Sequence, residues 1–142
     1  MKRKVKVLKD IHSHMNINPA KEGDIGRDIK ALEDVLIPSF AFRKVRSNAK
    51  IQMPKGIYAK ILGRSGLALK GILTHTGLID TQYTGSLDVI LFNLTYESYT
   101  VRKGDRIGQL VFFSHVDDIE LEEVEVFEET ERGSTGFGSS GL

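Results

Sequence analysis

A chain of 142 residues with 40% hydrophobic and 27% charged content has enough apolar material for one domain with a sizeable core. It contains no cysteine, which excludes a disulfide framework and thiolate chemistry and leads us to expect a cytoplasmic setting. Its net charge is +1, and no apolar run approaches the roughly 18 residues of a membrane span, so neither nucleic acid nor membrane is an expected partner.

The charge is unevenly placed. Lys2, Arg3, Lys4, Lys6 and Lys9 crowd the first residues, with no signal-type apolar region after them. Asp117, Asp118, Glu120, Glu122, Glu123, Glu125, Glu128, Glu129 and Glu131 crowd a later stretch. Alternation predicts a half-exposed first strand with Val5 and Val7 inward and Lys4 and Lys6 in water. It predicts a last strand over residues 119–127, whose outer charges meet those lysines.

Between them the chain reads as short strands separated by turns. Residues 12–26 are polar and irregular. Strands are predicted over 28–32, over 34–38 up to Pro38, in pieces around Phe40, Phe42 and Val45, and over 50–53. Lys55-Gly56 is a turn into a strand over 57–62. Residues 65–73 alone have helical spacing, enough for a turn or two. Strands follow over 87–92, 99–101 and 107–113, with Lys103-Gly104-Asp105 as a turn. Many short strands with Gly, Pro and Asp turns imply an all-β sandwich, jelly roll or barrel.

One stretch concentrates chemistry. Gly63-Arg64-Ser65-Gly66 is a cation-plus-hydroxyl turn suited to phosphate oxygens. Leu78-Ile79-Asp80 presents a single carboxylate, and Tyr83-Thr84-Gly85 an aromatic beside a turn. An anion holder, a candidate base and a stacking ring in so short a span point to a nucleotide site. The tail from Arg132 to Leu142 has the composition of a flexible arm, yet carries an arginine and Phe137. Its match to G-x-G-x-x-G over Gly136 to Gly141 is a decoy, because no residues remain for the helix that a dinucleotide fold requires. His12 and His14 lack partners at metal-ligand spacing.

These segments resemble the homotrimeric dUTP pyrophosphatase (dUTPase) family, whose five motifs occur in order. They are Ile25-Gly26-Arg27-Asp28-Ile29; Gly63-Arg64-Ser65-Gly66-Leu67-Ala68; Gly77-Leu78-Ile79-Asp80 with Tyr83 and Gly85; Gly104-Asp105-Arg106-Ile107-Gly108-Gln109-Leu110; and the tail. The resemblance implies a distorted β jelly-roll subunit over residues 1–131, a C-terminal arm over 132–142, and a homotrimer with shared active sites. It implies hydrolysis of dUTP to dUMP and pyrophosphate, with Mg2+ carried on the triphosphate rather than by a protein cage. Asp80 would activate the attacking water, Tyr83 would pack under the deoxyribose, and backbone around Gly77 and Ile79 would read uracil. Arg64, Ser65, Gly66 and Gln109 would hold phosphates. Phe137 would stack on the base, while Arg132, Gly138, Ser139 and Ser140 would close over the phosphates. Asp28 would organise water near sugar and metal.

The chain departs from the family pattern at Gly63, where proline is usual, and at Thr74, where asparagine is frequent; Ile25, Arg27 and Thr84 also differ. The related dCTP deaminases carry an arginine and a glutamate where this chain has Leu69 and Ile90, which removes the proton carrier for deamination. A rival of another class is a regulatory role, since phage members of the family bind regulatory proteins. The compact form suits a bacterium, phage or other virus, the last two implying a host-cell cytoplasm.

Overall fold

The computed structural model describes residues 2–138. Besides a 3-10 turn at Ile11–Ser13, eleven short strands and one α-helical turn follow in the order β1 (Lys6–Val7), β2 (Arg27–Lys30), β3 (Val35–Ile37), β4 (Phe42–Val45), β5 (Ile51–Gln52), β6 (Ile57–Leu62), α1 (Ser65–Ala68), β7 (Ile72–Thr74), β8 (Gly77–Ile79), β9 (Val89–Asn93), β10 (Tyr99–Val101) and β11 (Arg106–Ser114). The fold is all-β, as the turn chemistry implies. A four-stranded antiparallel sheet has the order β2-β11-β6-β8, and a three-stranded one the order β4-β9-β7. Two ribbons, β1-β5 and β3-β10, complete it.

Alternation explains the layers. In β6 the residues Ile57, Ala59 and Ile61 are buried while Tyr58, Lys60 and Leu62 are half-buried on the other face. In β9, Val89 and Leu91 turn inward from the smaller sheet and meet Ile29, Ile61 and Leu110 in one apolar cluster. Gly56 and Gly104 take positive φ, +85° and +86°, at turns where a side chain would be strained. The second is closed by Arg102 N–H donating to Asp105 Oδ2 at 2.9 Å.

Three expectations fail. Residues 119–127 form no strand: Ile119, Leu121, Val124, Val126 and Phe127 are exposed, and β1 pairs instead with β5. The alternation is real, but no strand among the described residues pairs with this segment. Val7 is 42% exposed, whereas Val5 does pack on the core. Phe40 is not extended; it takes φ +52° in a turn, with its ring edge-on to Tyr96 at 5.0 Å.

Asn93 is a buried polar knot. Its Nδ2 donates to the carbonyls of Ile37 and Glu97 at 3.0 and 2.8 Å, and its Oδ1 accepts from Thr95 N–H and hydroxyl. Removing the amide strands several buried groups at once. Asn93→Ala is therefore expected to lower unfolding free energy by about 2–4 kcal/mol in urea titration at fixed protein concentration.

Candidate active site

The first, second and fourth motifs converge on one end of the four-stranded sheet. The β2–β11–β6 register sets Asp28 opposite Gln109, and Gln109 opposite Leu62, on the sheet's outer face. Chain leaving β6 then brings Arg64 over Asp28. Arg64 Nε donates to Asp28 Oδ1 at 3.1 Å, and Arg106 Nη1 lies 3.8 Å from Asp28 Oδ2. Gln109 Nε2 donates to the Gly63 carbonyl at 2.8 Å, tying the fourth motif to the start of the second. Gly26 is the seat for that side chain, since a Cβ there would overlap Gln109 Oε1.

The turn after Arg64 has a clear local cause. Leu67 is buried and anchors α1, whose Leu67 and Ala68 N–H groups both donate to Arg64 O at 3.1 Å. Ser65 and Gly66 are left exposed beside Arg64. A cation, a hydroxyl and a carboxamide thus share one rim with a carboxylate that holds the cation in place, an arrangement suited to binding phosphate oxygens.

The third motif lies elsewhere. Gly77 pairs with Ile61 and Ile79 with Ala59, so β8 runs back along β6 and delivers Asp80 beside Tyr58. Arg64 stands six positions further along the same path, roughly 20 Å away at strand rise. Asp80 is exposed at a cleft of about 560 Å3 that Lys60, Leu78 and His115 also line. Its carbonyl accepts Tyr83 N–H at 3.2 Å across a turn in which Gln82 takes φ +71°. Thr81 Oγ1 ties this turn to Pro54 O at 3.1 Å. The Tyr83 hydroxyl donates to Ser86 O at 3.0 Å, and its ring lies where a side chain on Gly85 would be. Tyr83 is 44% exposed, a partly open ring held on a glycine ledge.

The strands before Asp80 do not form a ladder with each other. β7 pairs with β9 and β8 with β6, so the connection over residues 75–76 bridges the two sheets. His75 is exposed at that bridge and its N–H donates to Ile90 O at 2.9 Å. The described part of the tail carries its own local bonds. Arg132 Nε donates to Thr135 O at 2.8 Å, Phe137 is fully exposed at φ +49°, and Gly138 takes φ +81°. Ser139 and Ser140 lie outside the described residues. His14 is buried with Nε2 3.3 Å from Asp10 Oδ2, well placed as a structural pair.

A sequence model of the dUTPase family matches residues 13–141. The chain belongs to the dUTPase family. It is 41% identical over 140 residues to the deoxyuridine 5'-triphosphate nucleotidohydrolase of Candida glabrata, covering 95% of this chain and 96% of that protein. It is 42% identical over 125 residues to the protein of the same name from Paramecium bursaria Chlorella virus 1, covering 85% and 86%. Among solved structures, a dUTPase of Staphylococcus bacteriophage 80alpha with dUpNHpp superposes with a TM-score of 0.85 at 28% identity, covering 99% of both chains.

The fold gives two of the departures from the dUTPase pattern a common place. A Cβ on Gly63 would sit 3.3 Å from Thr74 Cβ, so the missing proline and the threonine are neighbours. Sequence reasoning passed over Arg106 as a site residue and Gly26 as more than a motif letter. The first depends on a local change of strand register, the second on a contact with a residue far along the chain. Gly26→Ala is expected to expel the Gln109 carboxamide from the Gly63 carbonyl and cost about 1–2 kcal/mol in urea unfolding, with the displaced side chain visible in a crystal structure of the variant.

Proposed function

We propose that the chain hydrolyses dUTP to dUMP and pyrophosphate at sites assembled from different copies of itself. The carrying observation is the roughly 20 Å between Asp80 and the Arg64 cluster on opposite ends of one strand. A base and the groups that hold its phosphate target must lie within a few ångströms of the same substrate. One chain does not offer that, whereas a second copy packed on the same sheet face would.

Asp80 is the base. Its exposed carboxylate takes a proton from a water as the water oxygen bonds to the α-phosphorus, and the bond from that phosphorus to the α–β bridging oxygen breaks. Arg64, Ser65, Gly66 and Gln109 of a second copy hold the phosphate chain and stabilise charge on the departing pyrophosphate. Tyr83, seated over Gly85, forms the floor beneath the deoxyribose and leaves no room for a 2′-hydroxyl. Backbone at Gly77 and Ile79 reads the uracil edge. Residues 132–142 act as an arm on the β domain of residues 1–131, with Phe137 stacking on the base and Arg132, Gly138, Ser139 and Ser140 closing on phosphates.

Magnesium fits as a passenger on the substrate. Among the described residues no group of three His, Asp or Glu converges, and both oxygens of Asp28 already face guanidinium groups. Such a donor set suits an ion coordinated mainly by phosphate oxygens and water, where it would neutralise phosphate charge. Asp28 would order water around it.

A homotrimer is typical of the family, and several surfaces here favour it. The outer sheet face carries Leu78, 63% exposed, with half-buried Leu62, Val111 and Phe113. Residues 1–116 hold 19 of the 20 basic residues but 10 of the 19 acids, a net +9; residues 117–142 carry −8. An apolar groove floored by Val5, Met15 and Phe112 and flanked by Arg3 and Arg27 lies beside β1. The acidic, alternating segment over 119–127 complements such a groove on a neighbouring copy. No helix among the described residues is long and apolar enough to cross a membrane. A cytoplasmic setting suits the substrate, that of a host cell if the source is phage or virus. The regulatory reading is not favoured: a protein that only binds a partner has no need of Asp80 and Tyr83 together with the arm.

Asp80→Asn is expected to slow pyrophosphate release from dUTP by about 100- to 10,000-fold, read against dCTP, dTTP and UTP with magnesium present. Asp80→Asn and Arg64→Ala variants, each inactive, are expected to complement when unfolded together and refolded. Random assortment then leaves about one site in four intact, and about a quarter of wild-type activity returns. No recovery would mean that both residues serve from the same chain.

A further inference from the structure

Strand β11 contains an irregularity that changes which side chain reaches the phosphate rim. Gln109 pairs with Asp28 and Gly108 with Ile29, but Arg106 pairs with Lys30, so one extra residue is inserted between Arg106 and Gly108. Strict alternation would send Ile107 to the outer face beside Gln109 and Arg106 into the core. The bulge reverses both. Ile107 is 1% exposed and packed in the core, while Arg106 stands on Asp28's face with its side chain 56% exposed. Bulges of this kind re-aim side chains and concentrate beside active sites.

The charges on that face do not balance. Asp28 brings one negative charge, 17% exposed, between two guanidinium groups. Arg64 is held at 3.1 Å through Nε, but Arg106 is only loosely paired at 3.8 Å. An exposed pair of that geometry adds little to stability, so stability alone is a weak reason for the bulge. The cluster keeps one surplus positive charge, with most of the donors of Arg106 still available.

Resting on the reading of this rim as a triphosphate site, we propose that Arg106 is a second phosphate-binding arginine. It grips the two phosphates that leave as pyrophosphate, and Asp28 is the spacer that sets the two guanidinium groups apart. The α-phosphate lies with Asp80 of another copy, which leaves the more highly charged end of the chain to the paired arginines. A guanidinium offers donors in a planar fork that matches phosphate oxygens, which lysine does not.

The test is calorimetric titration of the full-length wild type, Arg106→Gln and Arg106→Lys with dUpNHpp and with dUMP, magnesium present. Loss of one charge-assisted contact predicts about 10- to 100-fold weaker dUpNHpp binding by Arg106→Gln, with dUMP affinity changed less than about twofold. Arg106→Lys, which keeps the charge without the fork, should fall between. Wild-type affinity of Arg106→Gln for dUpNHpp would overturn the proposal. Equal weakening for dUMP would also overturn it, because Arg106 would then act only by orienting Asp28. A wild-type chain that binds neither nucleotide would defeat the functional reading itself, and this one with it.

Discussion

Strand β6 separates what the chemistry must bring together. One end leads into Arg64, and the other runs beside the end of β8, where Asp80 emerges. Strand geometry cannot shorten that path, because a β-strand is already near the limit of chain extension. On the proposed reading, a sheet with Asp80 at one end and the Arg64 rim at the other presents two different half-sites. Packing of like faces around an axis would turn two such incomplete ends into complete ones, and a closed ring would do so for every copy.

The same constraint accounts for features that would be liabilities in a solitary domain. Leu78, Val116, Ile119, Leu121, Val126 and Phe127 are all more than half exposed, and the acidic segment is left without a sheet edge. Contiguous exposed apolar surface usually marks a contact yet to be made. Opposite net charges on the body and the tail give such contacts direction, since like regions of two copies repel and unlike regions attract. Phe137, fully exposed among small residues, gains its packing only when something lies beneath it.

Much of the fold was legible beforehand because it depends on local rules. Strand β6 was predicted at its observed bounds, since Ile57, Ala59 and Ile61 alternate without interruption and Lys55-Gly56 marks the start. The third-motif turn was legible as a glycine beside an aromatic, and its geometry follows from the ring lying on Gly85. What escaped depends on distant partners. Alternation over residues 119–127 states that the segment can pair, not that the same chain holds an edge for it. The bulge before Gly108 breaks the period of two within a single motif, and a strand prediction over 107–113 does not announce that Arg106 joins the outer face. Phe40 needed a left-handed backbone that an apolar run does not announce.

Gly63 and Thr74 show why departures from a motif should be weighed in space rather than one by one. In the sequence they are separate irregularities, one at the start of the second motif and one shortly before the third. In the fold Thr74 fills the side of Gly63 where a Cβ would press at 3.3 Å, and its hydroxyl is buried without a partner among the described residues. A side chain at 63 would require Thr74 to give by a few tenths of an ångström, and Thr74 is tied through β7 to β9 by the Leu73–Phe92 and Thr74–Leu91 pairs. Gly63 leaves that space to Thr74, and its carbonyl is held by the Gln109 carboxamide at 2.8 Å.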